Sequence, residues 1–417
     1  MSESPAAPLT TADGVPLKVS LRRTVRRSKI KALLLVAPLL AFLLIAFLMP
    51  LFEMLWRSVD NPEVSTHLSR TVAALEDWNG QSLPDEAAFA ALAEDLRVGQ
   101  QERNLGLLSS RLNYEKSGMR STISRTARRV GGLEPPYRES LIEVNDTWGE
   151  LDTWKLIQRE ASPYTISYYL AAVDRQLNAD GEITKVPEHM QIHATLFWRT
   201  LWMSAVITGL TLALGFPVAF LLANLPMRHS NLLMILVLLP FWTSLLVRTT
   251  TWIAILQSQG VLNDVMVALG VIADEARWQM IHNKMGTIIA MTHILLPFMI
   301  LPLYSVMKTI PPSYMRAARS LGGKPFLSFR RVYFPLTIPG IAAGGILVFI
   351  LSIGYYITPA LVGGQSGRFI TNYIAYHMQT SLNWGLAAAI ASILLFVVII
   401  CYLVFNRLIG VDKVKLG

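Results

Sequence analysis

The sequence predicts an all-α, polytopic membrane protein with six transmembrane helices and a helical domain inserted after the first. Three observations lead there. Only 16% of the 417 residues are charged while 53% are hydrophobic, against about 25% charged in a soluble domain, and the mean hydropathy is +0.42. Long uncharged runs recur along the chain. Short basic segments alternate with neutral or acidic ones between those runs, as they do between membrane spans. The single cysteine, Cys401, leaves no intrachain disulfide and no C-x-x-C site.

A helix needs roughly 20 apolar residues to cross the hydrocarbon layer. Residues 32–52 and 200–227 carry no charge, and 23 uncharged residues separate Lys284 from Lys308. The stretch from Leu232 stays apolar to Val247, and two longer uncharged runs cover 332–367 and 369–406. These place spans at about 32–54, 198–223, 231–256, 286–307, 335–358 and 386–406, the last five forming a core over 198–410. The first span follows a basic tail, 1–31, that holds Lys18, Arg22, Arg23, Arg26, Arg27, Lys29 and Lys31. Its apolar core is too long for a cleaved signal peptide, so it reads as a retained anchor.

Orientation follows from where the cations sit. The 308–334 segment carries Lys308, Arg316, Arg319, Lys324, Arg330 and Arg331 with no acid, and the tail 411–417 adds Lys413 and Lys415. Short basic loops stay cytoplasmic, which predicts both termini inside the cell. The net charge of +9 therefore reports topology and not nucleic-acid binding.

Residues 55–197 are too long for that rule. The stretch 57–197 holds 15 Lys/Arg against 21 Asp/Glu. Leu68, Val72 and Leu75, and then Phe89, Leu92 and Leu96, repeat at helical spacing. Pro84-Asp85-Glu86 has the character of a helix start, and Gly131-Gly132 and Pro135-Pro136 of a break. A small, mostly helical extracytoplasmic domain is expected, with a solvated spacer as the alternative.

The loop between spans four and five, 311–340, reads PPSYMRAARSLGGKPFLSFRRVYFPLTIPG. Pro312 suits a first helical turn, Ser313 to Leu321 fit two turns, and Gly322-Gly323 supply the left-handed C-cap. A second short helix is expected over Phe326 to Tyr333, with Pro335 opening the fifth span. Ala317 and Ala318 give the first helix a small-residue face flanked by cations. An ordinary basic loop is the alternative, but the spacing Ala317-Ala318, Gly322, then Val332-Tyr333-Phe334-Pro335 resembles the EAA signature of binding-protein-dependent ABC importer permeases. Arg316 stands where that signature usually has glutamate. LPFWTSLLVRTTTW (239–252), LPFMILPLYSVMKTIPPSY (296–314) and ITPALVGG (357–364) resemble the spermidine/putrescine permease branch.

The resemblance implies a type I importer permease in a bacterial inner membrane. Arg316, Ala317, Ala318, Gly322, Gly323 and Pro335, with the rest of the loop at 311–335, would couple to a cytoplasmic ABC ATPase dimer. A second permease subunit would complete the path, and an extracytoplasmic solute-binding protein would deliver substrate. Docking of that protein is expected on the acidic insert. This chain has no G-x-x-x-x-G-K-[ST] phosphate loop, so ATP and Mg would sit on the partner. No H-E-x-x-H or G-x-S-x-G motif and no clustered metal ligands are present, so no catalytic or metal site is expected.

Few side chains within the spans are candidates for the substrate path. Arg248, about 24 Å along a straight third helix, is a snorkelling arginine, a packing anchor or a partner for a substrate anion. Trp242, Tyr355 and Tyr356 are the other candidates, Trp252 fits the interfacial belt, and His293 fits a hydrogen-bonded core group. Many relatives in the polyamine branch carry a carboxylate where Tyr355 stands. Apart from Glu53 the spans lack acids, so a polycation or an opine- or amino-acid-like solute remains open. An ion-gradient-driven transporter would show mid-membrane acids and inverted repeats. A ligand sensor would need a larger cytoplasmic output domain.

Overall fold

The computed structural model describes residues 17–409 and divides into two compact units, one up to Arg57 and one from Ser58 onward. The first unit is a long helix: α1 (Leu17–Leu43), a π-helical turn (Leu44–Leu48) and α2 (Met49–Trp56). Its described part already covers the expected basic tail from Leu17 onward, since nothing between there and Ala32 breaks it. Residues 1–16 and 410–417, including the tail 411–417, lie outside the described residues.

The second unit opens with the insert. Its helices are α3 (Glu63–His67), α4 (Ser69–Ala74), α5 (Glu86–Glu102), α6 (Leu105–Glu115), α7 (Met119–Arg129), α8 (Tyr137–Val144), α9 (Leu151–Glu160) and α10 (Ser167–Ala172). Asp85 caps α5, its side chain accepting from the Ala88 N–H at 3.2 Å. The apolar positions spaced for a helix converge inward: Leu68, Leu75, Phe89, Leu92 and Leu96 pack with Trp148 and Trp154 in one buried cluster. Beneath it, Arg111, 2% exposed, donates to Glu160, to Glu115 at 2.8 Å and to Asn61 at 2.6 Å. The insert is therefore a cored domain and not a spacer. A two-stranded hairpin, β1 (Arg175–Leu177) and β2 (Ile183–Lys185), follows α10 and was not expected.

The remaining helices form the core. They are α11 (His193–Asn224), α12 (Met227–Leu238), α13 (Leu245–Leu256), α14 (Val261–Ala268), α15 (Lys284–Thr309), α16 (Pro312–Ser320), α17 (Pro325–Ser328), α18 (Phe334–Gly354), α19 (Ile357–Val362), α20 (Ile370–Gln379) and α21 (Trp384–Ile409). Among the described residues, five helical stretches are long and apolar enough to span a membrane, and α12–α14 supply a sixth as a broken pair. Buried Met203, Ile207, Met291, Leu295, Met299 and Val348 join α11, α15 and α18.

Three expectations about the spans and the loop need correction. The third span is not one helix over 231–256. It bends by 97°, with a 3-10 turn at Leu239–Trp242 and extended backbone at Thr243 and Ser244. Pro240 offers no N–H to a continuing helix, and Ser244 restarts it by accepting from the Val247 N–H at 3.1 Å. The second helix of the 311–335 loop is likewise not separate. It runs from Pro325 into the fifth span, unbroken to Gly354, through a π-helical turn at Phe329–Tyr333. That turn lies just before Pro335, as the first unit's π turn lies just before Pro50, so each absorbs the missing donor of a proline. The fifth span also stops at Gly354, short of the expected 358, where Tyr355 is extended.

Candidate functional site

At the end of the core where α11 and α15 finish, the chain makes an elbow. α16 starts at Pro312 and closes when Gly322 N–H donates to Arg319 O and Gly323 N–H to Ala318 O, both at 3.0 Å. Gly322 has φ +84, a left-handed conformation that costs an L side chain about 1–2 kcal/mol. A Cβ on Gly323 would stand 2.7 Å from the Ala318 carbonyl oxygen, so both glycines are required by geometry. Arg316 and Ala317 are exposed on α16 while Ala318 is half-buried. Leu321 and Phe326 project outward, 89% and 74% exposed.

The elbow is seated firmly. Phe329 packs edge-on to Phe216 and Phe220 of α11 at 6.2 and 5.8 Å, and Tyr333 meets Phe220 at 5.3 Å. Lys308 Nζ donates to the Ala223 carbonyl at 3.3 Å. Of the residues singled out for this loop, Arg316, Ala317, Ala318, Gly322 and Gly323 form the elbow itself. Pro335 lies beyond it, inside the long α17–α18 helix.

Toward the insert end, the break in the third span brings α13 against α15 and α19. Arg248 is half-buried, and its Nε is buried without a hydrogen-bond partner among the described residues. Trp252 donates from Nε1 to His293 Nδ1 at 3.2 Å, so this tryptophan faces the bundle and not only an interface. Thr249 and Thr358 hydroxyls meet at 3.2 Å. The Tyr355 carbonyl accepts from Thr371 at 2.8 Å and that of Tyr356 from Asn372 at 2.6 Å. Trp242 does not join this group. It sits in the 3-10 turn and is 76% exposed. A cavity of about 350 Å³ between α11, α12 and α15 reaches His293 and Pro240.

The α19–α20 stretch is pinned beside this cluster. A Cβ on Gly364 (φ +53) would lie 2.2 Å from the His282 carbonyl oxygen, so only glycine permits the approach. His282 N–H in turn donates to Val362 O at 2.8 Å.

The insert is tied to the core at three places that the sequence did not reveal. Asp174 caps α11, accepting from the N–H groups of Ile192, His193 and Ala194 at 3.1, 3.0 and 2.9 Å and lying 3.0 Å from His193 Nδ1. Tyr114 donates to the Ser381 carbonyl at 2.9 Å. The Tyr169 hydroxyl joins Ser58 to Ser392, each at 2.9 Å. A cavity of about 330 Å³ lies between them, lined by Tyr114, Tyr168, Asp174, His193, Tyr376 and His377. Asp174 stands 19 residues before the helix it caps, too far for a local capping pattern to flag it. Among the described residues no group of three or more metal-ligating side chains gathers.

A bundle of apolar spans, one of them broken, with a rigid elbow standing out at one end, defines a membrane transport subunit. More narrowly, the chain belongs to the family of binding-protein-dependent transport system inner membrane components, whose profile matches residues 198–411. It is 34% identical over 228 residues to the spermidine/putrescine transport system permease protein PotB of Haemophilus influenzae, covering 54% of this chain and 79% of that one. The Escherichia coli PotB is 36% identical over 205 residues (49% and 74%). The E. coli inner membrane ABC transporter permease protein YdcU is 33% identical over 222 residues (51% and 70%). The elbow falls inside the family match; the insert up to 197 falls outside it.

Proposed function

We propose that the chain forms half of the translocation path of an importer for a small organic solute, polyamine-like or opine- or amino-acid-like. In this reading it is driven by a separate ABC ATPase seated on the elbow. The exposed α16, held by Gly322 and Gly323 against helices that enter the bundle, is the observation that carries the reading. Packed helices move as units, so a displacement applied to α16 passes to α15 and to the α17–α18 helix. ATP and Mg then belong to the ATPase dimer, a second permease subunit supplies the other half of the path, and a solute-binding protein delivers the solute. The relatives' names support a polyamine. The lack of acids in the core spans, with Arg248 beside Tyr355, supports a solute that also carries negative charge. The six cations of 308–334 support an elbow in the cytoplasm and both termini inside.

The test is crosslinking from Ala317→Cys and Ala318→Cys in inverted vesicles, together with uptake. Capture of the ATPase from both positions, and loss of uptake when that ATPase cannot hydrolyse ATP, are expected. Uptake that persists on an ion gradient alone would overturn the proposal.

A further inference from the structure

Several acids of the insert are paired inside it. Glu115 and Glu160 are held by Arg111 and Arg159, Asp95 by Arg70, Glu150 by Lys116 and Asp180 by Lys155. One stretch of the insert carries charge of the other sign. Residues 116–133 hold five cations and no acid, although acids outnumber cations in the insert as a whole. Met119, Ile123 and Ala127 bury one side of α7. At 100° per residue the opposite half-turn carries Arg120, Arg128, Arg125 and Arg129, with only Ser121 and Ser124 between them.

All four arginines are exposed. Arg120 donates to the Ser110 hydroxyl, and none of the four has a carboxylate within ion-pair distance among the described residues. Arg125 and Arg129 are four residues apart and Arg125 and Arg128 three, spacings at which like charges repel. Arg128 and Arg129 are partly compensated by the helix C-terminus, but Arg120 and Arg125 lie toward the start and middle of the helix. The main packing partners of α7 are insert helices α5, α6 and α8. The face shows no outward apolar side chain, whereas a helix that lies in a bilayer surface needs an apolar side to insert. It is built to meet an acidic protein surface.

We propose that the arginine face of α7 docks the extracytoplasmic solute-binding protein through an acidic patch on that protein. This rests on the importer reading above. A charged contact of this kind sets encounter rate and salt dependence, so the experiment uses the assembled importer in nanodiscs. The probe is the solute-binding protein that restores ATP-dependent uptake by that importer, titrated at low and high salt.

The triple variant Arg125→Glu, Arg128→Glu, Arg129→Glu should bind about tenfold or more weakly at low salt and lose most of the salt dependence. The neutral triple Arg→Gln should move the same way by less, and it decides the matter if charge reversal disturbs folding. Unchanged affinity and salt dependence in both variants, while the unaltered importer binds, would overturn the docking face alone. An effect seen only as lost attachment to anionic-lipid vesicles would also overturn it. Absence of any binding or ATP-dependent uptake by the unaltered importer would instead overturn the importer reading.

Discussion

Arg111 shows how a single side chain organises the insert. Its guanidinium is buried between Glu115, Glu160 and Asn61 and lies 4.9 Å over the Tyr168 ring. One residue thus joins α6, the entry loop, α9 and α10. Removing one partner of a buried ion pair leaves an uncompensated charge, at a cost of about 3–5 kcal/mol. Arg111→Ala in the full chain is therefore expected to lower the urea midpoint of the insert by a corresponding amount, followed by the fluorescence of buried Trp148 and Trp154. An unchanged midpoint would mean that the network adds nothing to the fold. The sequence marks Arg111 only as one of many insert cations. Its role depends on residues 50 and 49 positions away, which no local spacing brings together.

At the scale of elements, legibility tracks how local the determining chemistry is. The elbow was readable because proline at a first turn and glycine at a C-cap act within a few residues. The two α-helical faces of the insert were readable for the same reason. The bend in the third span was not, since Pro240 is equally at home in a straight transmembrane helix whose neighbours satisfy the freed carbonyl. Continuity of the second loop helix into the fifth span was hidden by Pro335, which ordinarily marks a start; the π turn absorbs it. The elbow makes its own prediction. Gly322→Val forces a β-branched residue to φ +84 and should reduce ATP-driven uptake while leaving membrane insertion and span packing intact. Uptake at the unaltered rate would show that α16 need not hold this angle.

For the molecule as a whole, the insert and the core meet around a cavity that contains two imidazoles, His193 and His377, with centroids 6.3 Å apart. Burial, and then the nearby His193, pushes the His377 pKa down from 6.5 to about 4. The unfolded chain therefore binds more protons than the folded one between those values, and stability falls as pH drops through that window. Above about pH 6.5 the group contributes no pH dependence. His377→Gln should flatten the decline in thermal midpoint between about pH 6.5 and 4, measured on the purified chain. A decline equal to that of the unaltered chain would place its origin elsewhere. Most of the apolar runs that make the spans stand out in the sequence, whereas this junction rests on Asp174, Tyr114 and Tyr169, polar side chains whose partners lie far along the sequence.

The unbroken helix from Pro325 to Gly354 has a mechanical meaning. Thirty residues at 1.5 Å each make a rod of about 45 Å that runs from the elbow to Tyr355. In the proposed importer, a tilt imposed at Phe326 would pass along this one helix to its far end at Tyr355.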